Sequence, residues 1–327
     1  MKDLLDEIMG FYRWFIKFIT LDIWNLNIND FGKAKRRFIR YLKVAIITIK
    51  KSGNDKLGLY AVSLSFFSTM AVVPFAAVAF VVTGGLGLER RLQELLLESF
   101  SENTEVLQWV IQFADNIVAS SRQGLFGVIS FIFFIGTVVW LILSIEKAFN
   151  DIWKVERARS IAKRFLYYIG ILVVAPFIIT IFLSVTLVFN NALDSIGYGL
   201  KHVDSIGFAL QWLLFYGIVL VIFAIMYKYI PNVKVHFSAS FSAAIITSLA
   251  FIIVQYLYME TQLFVSRLNA IYGAFAAIPL FLIWMDISWT IILIGAEISH
   301  AYQYADIYNI DNYKNVDDDI KKKIIPN

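Results

Sequence analysis

Residues 271–300 read IYGAFAAIPLFLIWMDISWTIILIGAEISH. The stretch is long and apolar enough to cross a bilayer, whose hydrocarbon core needs about 20 such residues in a helix. It nevertheless carries Asp286 at its middle and Glu297 near its end. A charged side chain at mid-bilayer costs at least about 2.5–3.5 kcal/mol on insertion scales, so it turns toward protein or water, or pairs. Glu297 follows Asp286 by about three turns and lies only about 20° round the helix from it. The two acids therefore mark one stripe, one deep and one near the end of the span.

Working outward, the same apolar pattern recurs. Hydrophobic residues make up 59% of the 327-residue chain and charged residues 17%, against roughly 45–50% and 25% in soluble domains. Uncharged runs separate Lys56 from Glu89, Arg122 from Glu146, Arg164 from Asp194, Asp204 from Lys228 and His236 from Glu260, and another opens after Arg267. The pattern predicts an all-α membrane protein, a bundle of six transmembrane helices near 57–83, 125–145, 165–189, 206–228, 237–258 and 271–298. Their repetition excludes the buried core helices of a soluble protein. Three regions follow: a cytoplasmic or interfacial basic segment at 1–56, the bundle at 57–302, and a flexible cytoplasmic tail at 303–327, where DDD precedes KKK.

Lysine and arginine placement orients the bundle, because positive loops stay in the cytoplasm. Residues 31–56 hold nine basic side chains against one acid, Asp55. The next connection, 84–124, holds six acids against three arginines, and 146–164 is basic again. Alternation of this kind predicts both termini on the cytoplasmic side. Arg13 and Lys17 interrupt the N-terminal apolar patch and no small-residue cleavage site follows, so no signal peptide is expected.

Two segments are expected to flank the bundle without crossing it. In 4–20, Asp6, Gly10, Arg13 and Lys17 share one helical face, while Leu5, Ile8, Met9, Tyr12, Phe15 and Ile19 share the other; that is a helix lying in the interface. The run KAKRRFIRYLKVAIITIKK at 33–51 is basic and aliphatic. Beside a span, it is read as facing anionic lipid headgroups rather than nucleic acid.

Polar residues inside the spans admit two readings. Ser65, Ser68 and Thr69 precede Pro74 in the first helix, and Pro176 and Pro279 interrupt the third and sixth. Hydroxyls and small residues let helices approach closely, whereas bent helices can also surround a water-filled cavity. The second helix ends in SIEKAFNDIWKVERAR, which places Glu146 and Asn150 on one face and Trp153 as an interfacial anchor. There is no cysteine, and the three histidines, His202, His236 and His300, are not spaced together for a metal site. No nucleophile elbow, phosphate loop or zinc-protease motif is present, so neither a catalytic residue nor a cofactor is expected.

Three blocks carry a resemblance: SIEKAFNDIWKVERARS, YKYIPNVKVHFSASFSAA and IYGAFAAIPLFLIWMDISWTIILIGAEISHA. They resemble the YihY, or virulence factor BrkB-like, family of bacterial inner-membrane proteins, formerly labelled ribonuclease BN. The matching positions are Glu146, Asn150, Ile152 and Trp153; Pro231 and Asn232; and Tyr272, Gly273, Ala276, Trp284, Gly295, Ala296 and Glu297. The likeness implies a six-helix, multi-pass inner-membrane protein with roles proposed in transport and envelope defence. Two positions depart from the pattern: Asp286 stands where an aromatic is usual, and Ala71 where a serine precedes the first-helix proline.

Two classes of function follow. In the first, the chain transports or exports ions or small amphiphilic, lipid-like molecules through a polar cavity open to the cytoplasm. Asp286, Glu297, Glu146, Asn150, Ser65, Ser68, Trp284 and Tyr272 are the expected pathway residues, and Pro74, Pro231, Asn232, Gly273 and Pro279 shape the helices. In the second, it is a non-transporting scaffold in envelope maintenance. The expected partners are the bilayer, anionic lipid at the basic segment and an unidentified ion or small molecule; a homo-oligomer is left open.

Overall fold

The computed structural model describes residues 32–84, 89–99, 125–155, 203–266 and 270–305, with shorter stretches and single residues between them. Seven longer helices carry these residues: α1 (Lys33–Asn54), α2 (Leu57–Gly84), α3 (Glu89–Ser99), α4 (Leu125–Ile152), α5 (Val203–Tyr229), α6 (Phe237–Ser266) and α7 (Ala270–Tyr304). No strand occurs among the described residues. Segments Leu57–Ala77, Ala209–Tyr229, Phe237–Gln262 and Ile278–Tyr304 are long and apolar enough to cross a membrane. The chain is an all-α, multi-pass membrane protein. Helix α4 covers the second expected span and is 28 residues long. The third expected span, 165–189, the interfacial segment at 4–20 and the tail beyond Ala305 lie outside the described residues apart from scattered positions.

Small residues face inward and large ones face outward. In α2, Leu59, Val62, Phe66 and Met70 recur at helical spacing and are exposed, while Ala61, Leu64, Ser65 and Ala71 are buried. In α6, Ile245, Ile246, Leu249 and Ile253 are exposed, while Ala239, Ser240, Ala243, Ala244, Thr247 and Ser248 are buried. A soluble protein reverses this order. In a bilayer the outward aliphatics meet lipid at no cost, and the small inward residues let helix backbones approach.

Helix α7 is the hub and packs against α1, α2, α4, α5 and α6. It packs tightly at Gly295, where any Cβ would collide with the Tyr227 hydroxyl and the Thr247 methyl. The Tyr227 hydroxyl donates to Thr247 Oγ1 at 3.0 Å, so α5 and α6 are joined directly over the bare backbone of α7.

Most hydroxyls in the spans are satisfied by their own helix. Ser65 donates to Val62 O, Thr69 to Ser65 O, Thr247 to Ala243 O and Ser288 to Trp284 O. Without water to bond, a hydroxyl finds the carbonyl three or four residues back. Pro74 is buried inside α2 and Pro279 exposed inside α7, and both helices continue past them.

Two lysines occupy left-handed backbone at helix ends. Lys56 (φ 53) makes the turn from α1 into α2. Lys154 (φ 54) ends α4: its N–H donates to Asp151 O at 3.2 Å, and Val155 N–H donates to Asn150 O at 2.9 Å. That is a Schellman stop, whose left-handed position is usually glycine.

Candidate functional site

Charged and polar groups concentrate where α1 and the end of α4 meet the last turns of α7. Glu297 and His300 of α7 and Lys51 of α1 are all 0% exposed, although each could carry a charge. Among the described residues, the charged groups facing Glu297 are Lys51, Asp55 and Lys154. Lys154 Nζ lies 2.7 Å from Asp55 Oδ1. Trp153 is fully buried beside them and meets His300 edge-on, with ring centroids 5.1 Å apart, and Tyr304 at 6.2 Å. Helix α1 is held over this cluster by Arg40, which donates to Tyr302 O at 3.2 Å and covers the Tyr302 ring at 4.5 Å. Tyr60 of α2 donates to Asp151. Burying several charges is tolerated when they neutralise one another, and here three separate elements supply them.

A second constellation joins α4 to the α5–α6 connection. Asn150 Nδ2 donates to Glu146 Oε1 at 3.4 Å, and Asn150 Oδ1 accepts from the Asn232 N–H at 2.8 Å. Arg159 and Arg164 each approach Glu146 at 3.5 Å. Arg159 also donates to the carbonyls of Tyr229, Ile230 and Pro231, at 2.8, 3.0 and 3.3 Å. Those carbonyls lie at and just beyond the end of α5, where no further helical N–H reaches them, so the guanidinium caps that end. Gln303 ties the same connection to α7, accepting from His236 N–H at 2.8 Å and donating to Lys234 O at 3.2 Å.

Asp286 stands apart from both. It is half-buried, and its Oδ1 is buried without a hydrogen-bond partner. Close by in sequence, Trp284 stacks on Tyr258 with ring centroids 5.0 Å apart. Trp289 donates from its indole to Ser68 Oγ at 2.9 Å, pinning α7 to α2.

Of the residues singled out from sequence, the structure brings Glu146, Asn150, Pro231 and Asn232 into one clasp. It places Glu297 with a different set, wholly covered rather than at an open mouth, because basic helix α1 lies over it. Ser65 spends its hydroxyl on its own helix, and Ser68 serves as the acceptor for Trp289. Tyr272 and Gly273 belong to α7, but their side-chain surroundings lie outside the described residues. Sequence reasoning did not connect Lys51, Asp55, Lys154 and Arg159 to the site. One signal was available: Asp55 is the single acid in a run of nine basic residues.

The family model described as virulence factor BrkB matches residues 48–319. The chain belongs to this family. Among curated relatives, a UPF0761 membrane protein of Paraburkholderia xenovorans is 30% identical over 79% of this chain and 59% of its own length. One from Acinetobacter baylyi is 29% identical over 80% of this chain and 62% of its own length. One from Coxiella burnetii is 30% identical over 74% of this chain and 86% of its own length. The chain thus spans about three-fifths of the length of the first two. No solved structure matches. The matched region begins near the end of α1 and takes in its last residues, Lys51 among them, and Asp55.

Proposed function

We propose that this BrkB-family protein is a six-span inner-membrane transporter or exporter of ions or small amphiphilic, lipid-like molecules, with both termini in the cytoplasm and no catalytic activity. The observation that carries this reading is Asp286: a half-buried acid in an apolar helix, with one carboxylate oxygen buried and unpartnered. An ionisable residue inside a span is expensive to keep, and such residues mark substrate or ion pathways.

Flux tests it. The protein reconstituted into liposomes should move at least one member of a panel of ions and fluorescent lipids faster than protein-free vesicles. Asp286→Asn should change that flux or its pH dependence. Equal rates with and without protein across the panel would overturn the proposal. The topology has its own check in this cysteine-free chain: single cysteines at Ser101 and Ser160 should label from opposite sides of the membrane.

The scaffold reading is favoured by a different observation. The outer face of α1 is exposed and carries Phe38, Tyr41 and Ile49 at helical spacing, with Lys35, Arg36 and Arg37 exposed at its start. Such a surface suits an anionic headgroup layer. Neutralising those three residues should weaken binding to anionic vesicles without altering flux if α1 is only an anchor.

A further inference from the structure

Several unpartnered buried polar atoms lie beneath α1. Both carboxylate oxygens of Glu297, Oδ2 of Asp55, both ring nitrogens of His300 and Nε1 of Trp153 have no hydrogen-bond partner. Glu297, His300 and Trp153 are completely buried. Buried polar atoms in folded proteins are nearly always paired, and each one left over asks for a ligand, a water or a proton.

The chemistry of the neighbours narrows the choice. The Asp55 carboxyl lies within hydrogen-bonding reach of Glu297. Two ionised carboxylates supply acceptors only and repel each other. One proton placed between them turns that contact into a short, charge-assisted O–H···O⁻ bond. A metal cation is disfavoured because the ammonium groups of Lys51 and Lys154 face the same carboxyls. An anion is disfavoured by the two acids themselves.

We propose that Glu297 and Asp55 form a proton-binding site, holding a single proton between their carboxyls at the junction of α1, α4 and α7. The other groups that face the pair come from every side. Lys51 belongs to α1, Lys154 to the end of α4, and His300 lies one turn beyond Glu297 on α7. Tyr60 of α2 acts on Asp55; among the described residues, α5 and α6 present no ionisable group to Glu297. When the proton leaves, two carboxylates face two ammonium groups and the set is neutral. When it binds, the set carries one positive charge. In the transport reading this is where a coupling proton binds, yet the site stands whether or not anything is carried.

Infrared difference spectroscopy of the whole chain in liposomes, titrated with pH, tests the site through the C=O stretch of a protonated carboxyl. The wild type should show a titrating band that disappears in both Glu297→Gln and Asp55→Asn and persists in Asp55→Glu. A spectrum unchanged by either amide variant would mean that both acids stay ionised, and would overturn the proposal. A band lost in Glu297→Gln but kept in Asp55→Asn would assign the proton to Glu297 alone, overturning the shared site. Should Glu297→Gln not fold, the Asp55 variants decide: loss in Asp55→Asn with retention in Asp55→Glu supports the pair, and any other pattern rejects it.

Discussion

Asp286 and Glu297 sit on one stripe of one helix, yet their surroundings differ in kind. Around Glu297 three elements deliver a second acid, two lysines, a histidine and a tryptophan, and no solvent reaches the carboxyl. Asp286 is half-exposed, and the described residues provide no donor for its Oδ1. The difference teaches that position along a helix does not decide what an intramembrane acid does. What decides is which other segments fold over it. Glu297 is the centre of an assembled network, and Asp286 is an acid left open.

The sharpest way to break this comparison is to remove each acid and compare the losses. Glu297→Leu removes a carboxylate that faces the fully buried Lys51; removing one partner from such a network costs about 3–5 kcal/mol. The expected result is a large fall in the melting temperature in detergent, and an unchanged one would mean that the cluster contributes nothing. Gly295, between the two acids on α7, comes next. Gly295→Val drives a side chain into Tyr227 and Thr247, and overpacking of this kind costs about 1–3 kcal/mol. Disrupted α5–α6–α7 packing should appear as faster proteolysis as well as lower melting.

Smaller effects sharpen the picture. Lys154→Ala loses a partly exposed ion pair and should cost about 1 kcal/mol. Lys154→Gly loses the same pair but relieves the left-handed backbone, so it should melt higher than the alanine variant by the equivalent of about 1 kcal/mol. At the bottom of the scale, Asp286→Asn should change stability by less than about 0.5 kcal/mol while altering flux. A substantial destabilisation there would mean that Asp286 has a structural partner, and would make the two acids alike.

The helices were legible because a bilayer imposes a length and forbids charge, so uncharged runs between Lys56 and Glu89 or Asp204 and Lys228 declare themselves. Glu146 with Asn150 was legible too, being one turn apart. The environment of Glu297 was not. Lys51, Asp55, Trp153 and Lys154 stand more than 140 positions away from it, and a helical stripe reveals which way an acid points but not what covers it. The hydroxyls misled for a related reason. A serine that lines a cavity and one bonded to its own helix look identical in sequence, and Ser65 proved to be the second kind. Lys154 carried no signal at all, since nothing about a lysine announces left-handed backbone.

That lysine has a consequence for anyone wishing to harden the protein for study. Local backbone preference asks for glycine at position 154, and a redesign guided by turn chemistry alone would supply it. The helix end would gain, and the hydrogen bond from Lys154 to Asp55 would vanish with the ammonium group. The chain keeps a locally unfavourable residue so that a charge arrives at the right place. A stabilised variant built by rule would therefore be a quieter molecule, with the end of α1 more loosely fastened to α4.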